Sequence, residues 1–188
     1  MAGSLNEILY DPLSYLHSQR LKLNLSLIST PICRSIVNDM IFDIFHLTVP
    51  DIQVNSQDRF WIHHWYNIPK ITYLIGCHAN REELMWRGRI LNIPLWAKDY
   101  LKTASSYAPK FSSPPSEDFT HSFILNTGYS GLIEYIEGLP EPLRQRIPLL
   151  FPDCIDGVKS QFTVNPFILR VISNYVKKSK FTLSCEIC

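Results

Sequence analysis

Cys185 and Cys188 stand at C-x-x-C spacing, the arrangement that supplies half of a structural zinc site or a redox couple. A structural zinc needs four ligands, and the chain holds no second C-x-x-C and no H-x-x-x-H to complete a set. A redox pair belongs at a helix start within a βαβ unit, and no such unit is predicted here. The pair therefore reads as part of a terminal tail. His63-His64 and Cys77-His78 invite metal binding or Cys–His catalysis. Neighbours on a helix point about 100° apart, so neither pair converges on one ion or one proton. Nucleophilic catalysis also needs a base within hydrogen-bond reach and a third group to orient it, and no recognisable spacing supplies one. These four side chains read as packing or partly exposed groups. Thr127-Gly128-Tyr129-Ser130-Gly131 has a G-x-S-G spacing, one residue short of a nucleophile elbow, and its flanks are helical where an elbow needs a strand. It reads as a helix junction. No glycine-rich loop is present to cradle a phosphate, so nucleotide binding is unsupported.

Two further groups suit binding rather than bond-breaking. Arg81, Arg87 and Arg89 form a basic cluster able to meet an acidic partner, although a solvated helix face has the same composition. Trp61, Trp65, Trp86 and Trp96 lie close together in sequence; tryptophan anchors interfaces, but taken singly each of these reads more readily as core. The candidate partner-binding residues are Arg81, Arg87, Arg89, Trp61 and Trp65. An exposed indole would mark a docking face.

The elements that must position these residues are helical. Thr30 as N-cap and Pro31 at the first helical position open a helix running to about Leu47. Its apolar residues Ile32, Ile36, Val37, Met40, Ile41, Ile44 and Phe45 should face the core, with Arg34, Asn38, Asp39 and Asp43 on the opposite side. Further helices are expected over 57–66, from Pro69 to about Ala79, and over 81–91, where Glu83 and Arg87 have ion-pair spacing. Pro94 begins another, carrying Leu95, Trp96, Tyr100 and Leu101. Residues 119–125 and 129–136 read as helices, Pro142 opens a short one, and Asn165-Pro166 starts the last. In that helix Ile168, Leu169, Ile172, Tyr175 and Val176 form the apolar stripe, and lysines near its C-terminus suit the helix dipole. No alternating runs with hairpin signals occur, so no sheet is predicted. The expected fold is all-α, with many short helices turning at proline-marked corners. The Pro/Ser-rich segment 105–118 divides a helical lobe at 1–104 from a second at 119–188, or bridges them within one domain.

Hydrophobic residues make up 46% and charged residues 19%, enough to build a core and incompatible with a disordered chain. A net charge of +1 gives no global field to draw the protein to nucleic acid or anionic lipid. The five cysteines are odd in number and sparse, which fits free thiols in a reducing cytosol better than a disulfide framework. The first residues lack a basic n-region, so no secretory signal is expected. No window is apolar for the roughly 18 to 20 residues a membrane span requires.

Three segments together resemble the OrgA/MxiK (SctK) family of type III secretion proteins. The first is Asp11-Pro12-Leu13-Ser14-Tyr15-Leu16-His17, continuing through Gln19-Arg20-Leu21. The second is Trp61-Ile62-His63-His64-Trp65 with Pro69, Tyr73-Leu74-Ile75-Gly76-Cys77-His78 and Pro94-Leu95-Trp96-Ala97. The third is Pro140-Glu141-Pro142-Leu143-Arg144-Gln145-Arg146-Ile147-Pro148-Leu149-Leu150-Phe151-Pro152. They occur in family order. The resemblance implies a cytosolic adaptor of the sorting platform with no active site and no cofactor. It would join the cytoplasmic domain of the inner-membrane ring protein (SctD, PrgH-like) to the SctQ (SpaO-like) pod protein, and through the pods to the stator and the ATPase.

The competing expectation is a small cytosolic enzyme whose site assembles from scattered residues such as His17, Cys77 and Asp153. The absent nucleotide, metal and nucleophile signatures count against it.

Overall fold

The structure, a computed structural model, describes residues 4–22, 30–48, 53–103 and 120–178. Among them every regular element is helical and none is a strand, in agreement with the all-α expectation. In chain order these are α1 (Leu5–Tyr10), α2 (Pro31–Phe45), α3 (Ser56–His63), α4 (Ile68–Ala79), α5 (Arg81–Met85), α6 (Leu95–Thr103), α7 (His121–Ser130), α8 (Ile133–Glu137), α9 (Glu141–Arg146) and α10 (Pro166–Lys178). Single 3-10 turns link several of them.

Side-chain caps set where the longer helices begin. The Thr30 hydroxyl accepts from the Cys33 N–H at 3.2 Å, with Pro31 in the first turn of α2. Asn55 and Asp58 form a reciprocal capping box on α3, the Asn55 carboxamide accepting from Asp58 N–H and the Asp58 carboxylate from Asn55 N–H. Thr120 caps α7, and Asn165 accepts from Phe167 N–H at 2.8 Å to open α10.

The chain forms two compact units, one of Met1–Ile68 with Tyr135–Asp156 and the other of Pro69–Glu134 with Gly157–Cys188. This differs from the expected lobes 1–104 and 119–188. Each unit takes chain from both sides of the Pro/Ser-rich segment 105–118, which lies outside the described residues. The reason is visible in the packing: the partners that complete each core are distant in sequence.

In the first unit, the first and third family-like segments lie together. His17 N–H donates to Leu149 O at 2.8 Å. The Arg20 guanidinium donates to Phe151 O and Pro152 O, and pairs with Asp156 at 2.6 Å. Arg146, wholly buried, donates to the carbonyl oxygens of Leu9, Thr48 and Pro142, each at 2.9 Å, and lies over the Phe42 ring. Tyr15 donates to Ile8 O and meets Trp65 edge-on at 5.4 Å.

Helix α2 corrects one expectation in part: Val37 and Ile41 are buried as expected, and four other apolar residues are not. Its ends fall as expected to within two residues, but the side turned inward carries Val37, Asn38 and Ile41, while Ile32, Ile36, Met40 and Ile44 face solvent. Asn38 is buried because it is satisfied: its Oδ1 accepts from Leu13 N–H at 3.0 Å and its Nδ2 donates to Asp11 at 2.8 Å. Those two bonds fix the rotation of the helix. Periodicity alone could not report them.

In the second unit, α4 is buried along most of its length, with Ile71, Tyr73, Leu74, Ile75 and Cys77 inside. Helix α7 crosses it so closely that Gly76 meets the Ile124 carbonyl and Gly128 meets the Thr72 carbonyl, with no room for a β-carbon at either position. Helix α10 packs by the expected stripe, burying Ile168, Leu169, Ile172 and Val176; Tyr175 reaches α6, donating to Trp96 O at 2.9 Å.

Candidate docking surface

The expected helix over residues 81–91 divides. Its α-helical part stops at Met85, because Trp86 takes an extended backbone (ψ 141°) and Gly88 the left-handed region (φ 71°). The chain continues as 3-10 turns through residues 86–92 and enters α6 after Pro94. A glycine inside a helical pattern signals such a break. Leu84 is buried and Ile93 nearly so, which holds the corner to the unit. Around those anchors Met85, Trp86, Leu91 and Leu95 project into solvent, Trp86 with 48% of its surface exposed.

Charged groups border this corner. Glu83 and Arg89 form an ion pair, each side chain about four-fifths buried, and the Arg89 guanidinium lies 6.0 Å from the centre of the Trp86 ring. The pair uses Arg89 where helical spacing pointed to Arg87, since the α-helix ends before residue 87. The Arg87 side chain lies outside the described residues. Arg81 is half-buried at the start of α5, and its charge reaches Tyr100. The Lys98 ammonium donates to Leu91 O at 2.9 Å, tying the corner to α6.

Of the four indoles, Trp61 and Trp65 have 1% and 0% of their surface exposed. Their assignment as partner contacts is corrected: both are core residues of the first unit, packed against Tyr135 and Tyr15 respectively. Trp96 is half-buried against Tyr73. Trp86 is the exposed indole that the sequence could not single out.

The groups that suggested chemistry are held in packing roles. Cys77 is fully buried, and burial pushes its thiol well above the ordinary range, the reverse of what an attacking thiolate needs. His78 is buried beside Tyr100, whose hydroxyl is pushed up in the same way by burial. The rings of His63 and His64 sit edge to face, with His64 buried against Phe60. His17 and Asp153 are neighbours in the first unit, where burial and the Arg20 charge lower the His17 pKa and Asp153 opposes them. Ser130 is a buried helix residue donating to Thr127 O at 2.7 Å, not an exposed nucleophile. Cys185 and Cys188 lie outside the described residues. A cleft of about 400 Å³ in the second unit, at the ends of Asn80, Asn126, Lys159 and Gln161, offers carboxamides and one ammonium. Its lining carries no thiol, imidazole or carboxylate.

Among the described residues no helix is long and apolar enough to cross a membrane. No solved structure gives a significant match to the chain. At the level of sequence, the oxygen-regulated invasion protein OrgA of Salmonella typhimurium is 34% identical over 183 residues, covering 96% of this chain and 90% of that protein. The putative uncharacterized protein YgeO of Escherichia coli strain K12 is 34% identical over 131 residues, covering 68% of this chain and 92% of that one. Residues 5–167 match the family described as bacterial type III secretion apparatus protein (OrgA_MxiK). The chain belongs to that family, and is a protein of the type III secretion apparatus.

Proposed function

We propose that this chain is a non-catalytic adaptor of the sorting platform, working in the cytoplasm at the inner membrane. In this reading it holds the cytoplasmic domain of the SctD-type ring protein to the SctQ-type pod protein, and so to the stator and the ATPase. The observation that carries the reading is the corner between α5 and α6, where an indole and three other apolar side chains are exposed beside the buried Leu84 and Ile93. Large exposed apolar groups bordered by charge mark contact sites on proteins that otherwise bury such residues. The burial of Cys77, with its raised thiol, supports a surface role over the rival enzymatic one.

Binding of the purified chain to the pod protein and to the ring domain, followed by calorimetry, tests the reading. Trp86→Ala is expected to weaken one of the two complexes by about 30-fold, the scale of a central aromatic anchor, without lowering thermal stability. Charge reversal at Arg81 and Arg87 should slow association several-fold at low salt and matter less at high salt. Unaltered affinity for both proteins in the Trp86 variant would remove this corner from the account.

A further inference from the structure

Helix α2 leaves a second surface unaccounted for. Ile32, Ile36, Met40 and Ile44 recur every fourth residue and form a ridge that rises about 18 Å along the helix, inclined about 26° to its axis. Ile32 has 75% of its surface exposed and the other three about half. A ridge of this kind is what interlocks with a neighbouring helix in ridges-into-grooves packing. Burying Asn38 and exposing four aliphatic side chains is a costly choice for a helix that meets only its own chain.

The charges along the ridge indicate what covers it. Asp39 and Asp43, one position before Met40 and Ile44, are exposed and lie on the same side. Among the described residues neither makes an ion pair. The basic residue of the helix, Arg34, is committed to Asp11 at 2.6 Å. The exposed face is thus apolar with a purely negative border. A bilayer surface is a poor occupant, because helices that lie on membranes carry lysine and arginine on the polar side. A second copy of the same face would set carboxylates against carboxylates. We infer that the ridge Ile32–Ile36–Met40–Ile44 docks an amphipathic helix of a protein partner, whose apolar stripe is bordered by lysine or arginine that meet Asp39 and Asp43.

This inference rests on the adaptor reading, and one experiment separates the two. The full chain, the double variant I36E/M40E and the double variant D39K/D43K are each titrated with the purified SctQ-type pod protein and with the SctD-type ring domain. Light scattering and circular dichroism are recorded on each chain alone. The expected result is native helicity in all three chains, at least about 100-fold weaker binding of I36E/M40E to one of the two proteins, and about tenfold weaker binding of D39K/D43K to that same protein. The loss for D39K/D43K should shrink as salt is raised. Equal affinity of all three chains for both proteins would overturn the docking role of α2 and leave the adaptor reading standing. A native chain that binds neither protein would overturn both. A native chain that is dimeric, and that I36E/M40E disperses, would make the ridge a contact between copies and overturn the assignment.

Discussion

Gly128→Ala is expected to lower the thermal midpoint of the chain by about 10 °C, although alanine is the better helix former. A β-carbon at residue 128 would overlap the Thr72 carbonyl oxygen and stand 2.9 Å from the Gly76 backbone nitrogen. Both belong to the backbone of α4, which cannot turn aside as a flexible side chain would. Helices α4 and α7 would have to separate, and contacts along Thr72, Gly76, Ile124 and Thr127 would loosen together. The intrinsic gain of alanine over glycine in a helix is about 1 kcal/mol. Overpacking ordinarily costs about 1–3 kcal/mol, and a β-carbon forced onto a backbone carbonyl oxygen exceeds that range at about 4 kcal/mol, so the steric effect decides the sign. A net loss of about 3 kcal/mol corresponds to roughly 6–12 °C for a chain of this length. Gly88→Ala provides the contrast: its φ of 71° costs an alanine about 1–2 kcal/mol, and a β-carbon there meets Leu91 Cδ1 at an ordinary contact distance of 3.8 Å. Thermal scans by circular dichroism should therefore rank Gly128→Ala well below Gly88→Ala. The reverse order would mean that α4 and α7 do not touch backbone to backbone.

Arg146→Ala should be at least as damaging. Its guanidinium is fully buried and joins three stretches of the first unit by donating to Leu9 O, Thr48 O and Pro142 O, with the Phe42 ring beneath it. Burial draws its pKa below the usual arginine value, and the Tyr15 hydroxyl opposes that shift; an arginine remains charged throughout the accessible pH range. Truncation leaves carbonyl oxygens buried without donors and opens a cavity. Hydrogen bonds to a charged group are worth about 1.5–3 kcal/mol each, and the losses do not add fully, so a total of about 4 kcal/mol is expected. Arg146→Met refills the volume without supplying donors and should recover only about 1–2 kcal/mol of this. Arg146→Lys keeps the charge, but one ammonium cannot replace the planar fork across three acceptors. Chemical denaturation of the three variants checks the order, with Ala the least stable. Equal stability of the methionine and native chains would show that the carbonyl bonds contribute nothing.

Neither of these residues was legible as a keystone. Gly128 belonged to a stretch weighed against a nucleophile elbow, and Arg146 was one basic residue of a short proline-bounded helix. What makes each essential is a partner far away in sequence, Thr72 for one and Leu9 and Thr48 for the other. Local features were readable because local atoms create them. Thr30, Asn165 and the prolines at helix starts marked real termini, and the stripe of α10 faces inward as its periodicity requires. The rotation of α2 was not readable, because it turns Asn38 inward to accept from Leu13 N–H and donate to Asp11, partners that lie far away in sequence. At the corner between α5 and α6, the indole that projects is Trp86 rather than Trp61 or Trp65. Gly88 was the available clue, since its left-handed backbone lies in the 3-10 segment that follows α5 and holds Trp86.

An adaptor must hold both neighbours at once. The most direct test mixes the purified chain with the SctQ-type pod protein and the SctD-type ring domain and determines the mass of the product by light scattering. The account predicts a single species containing all three proteins, which does not form when this chain is left out. Binding of neither neighbour, or displacement of one by the other, would contradict it.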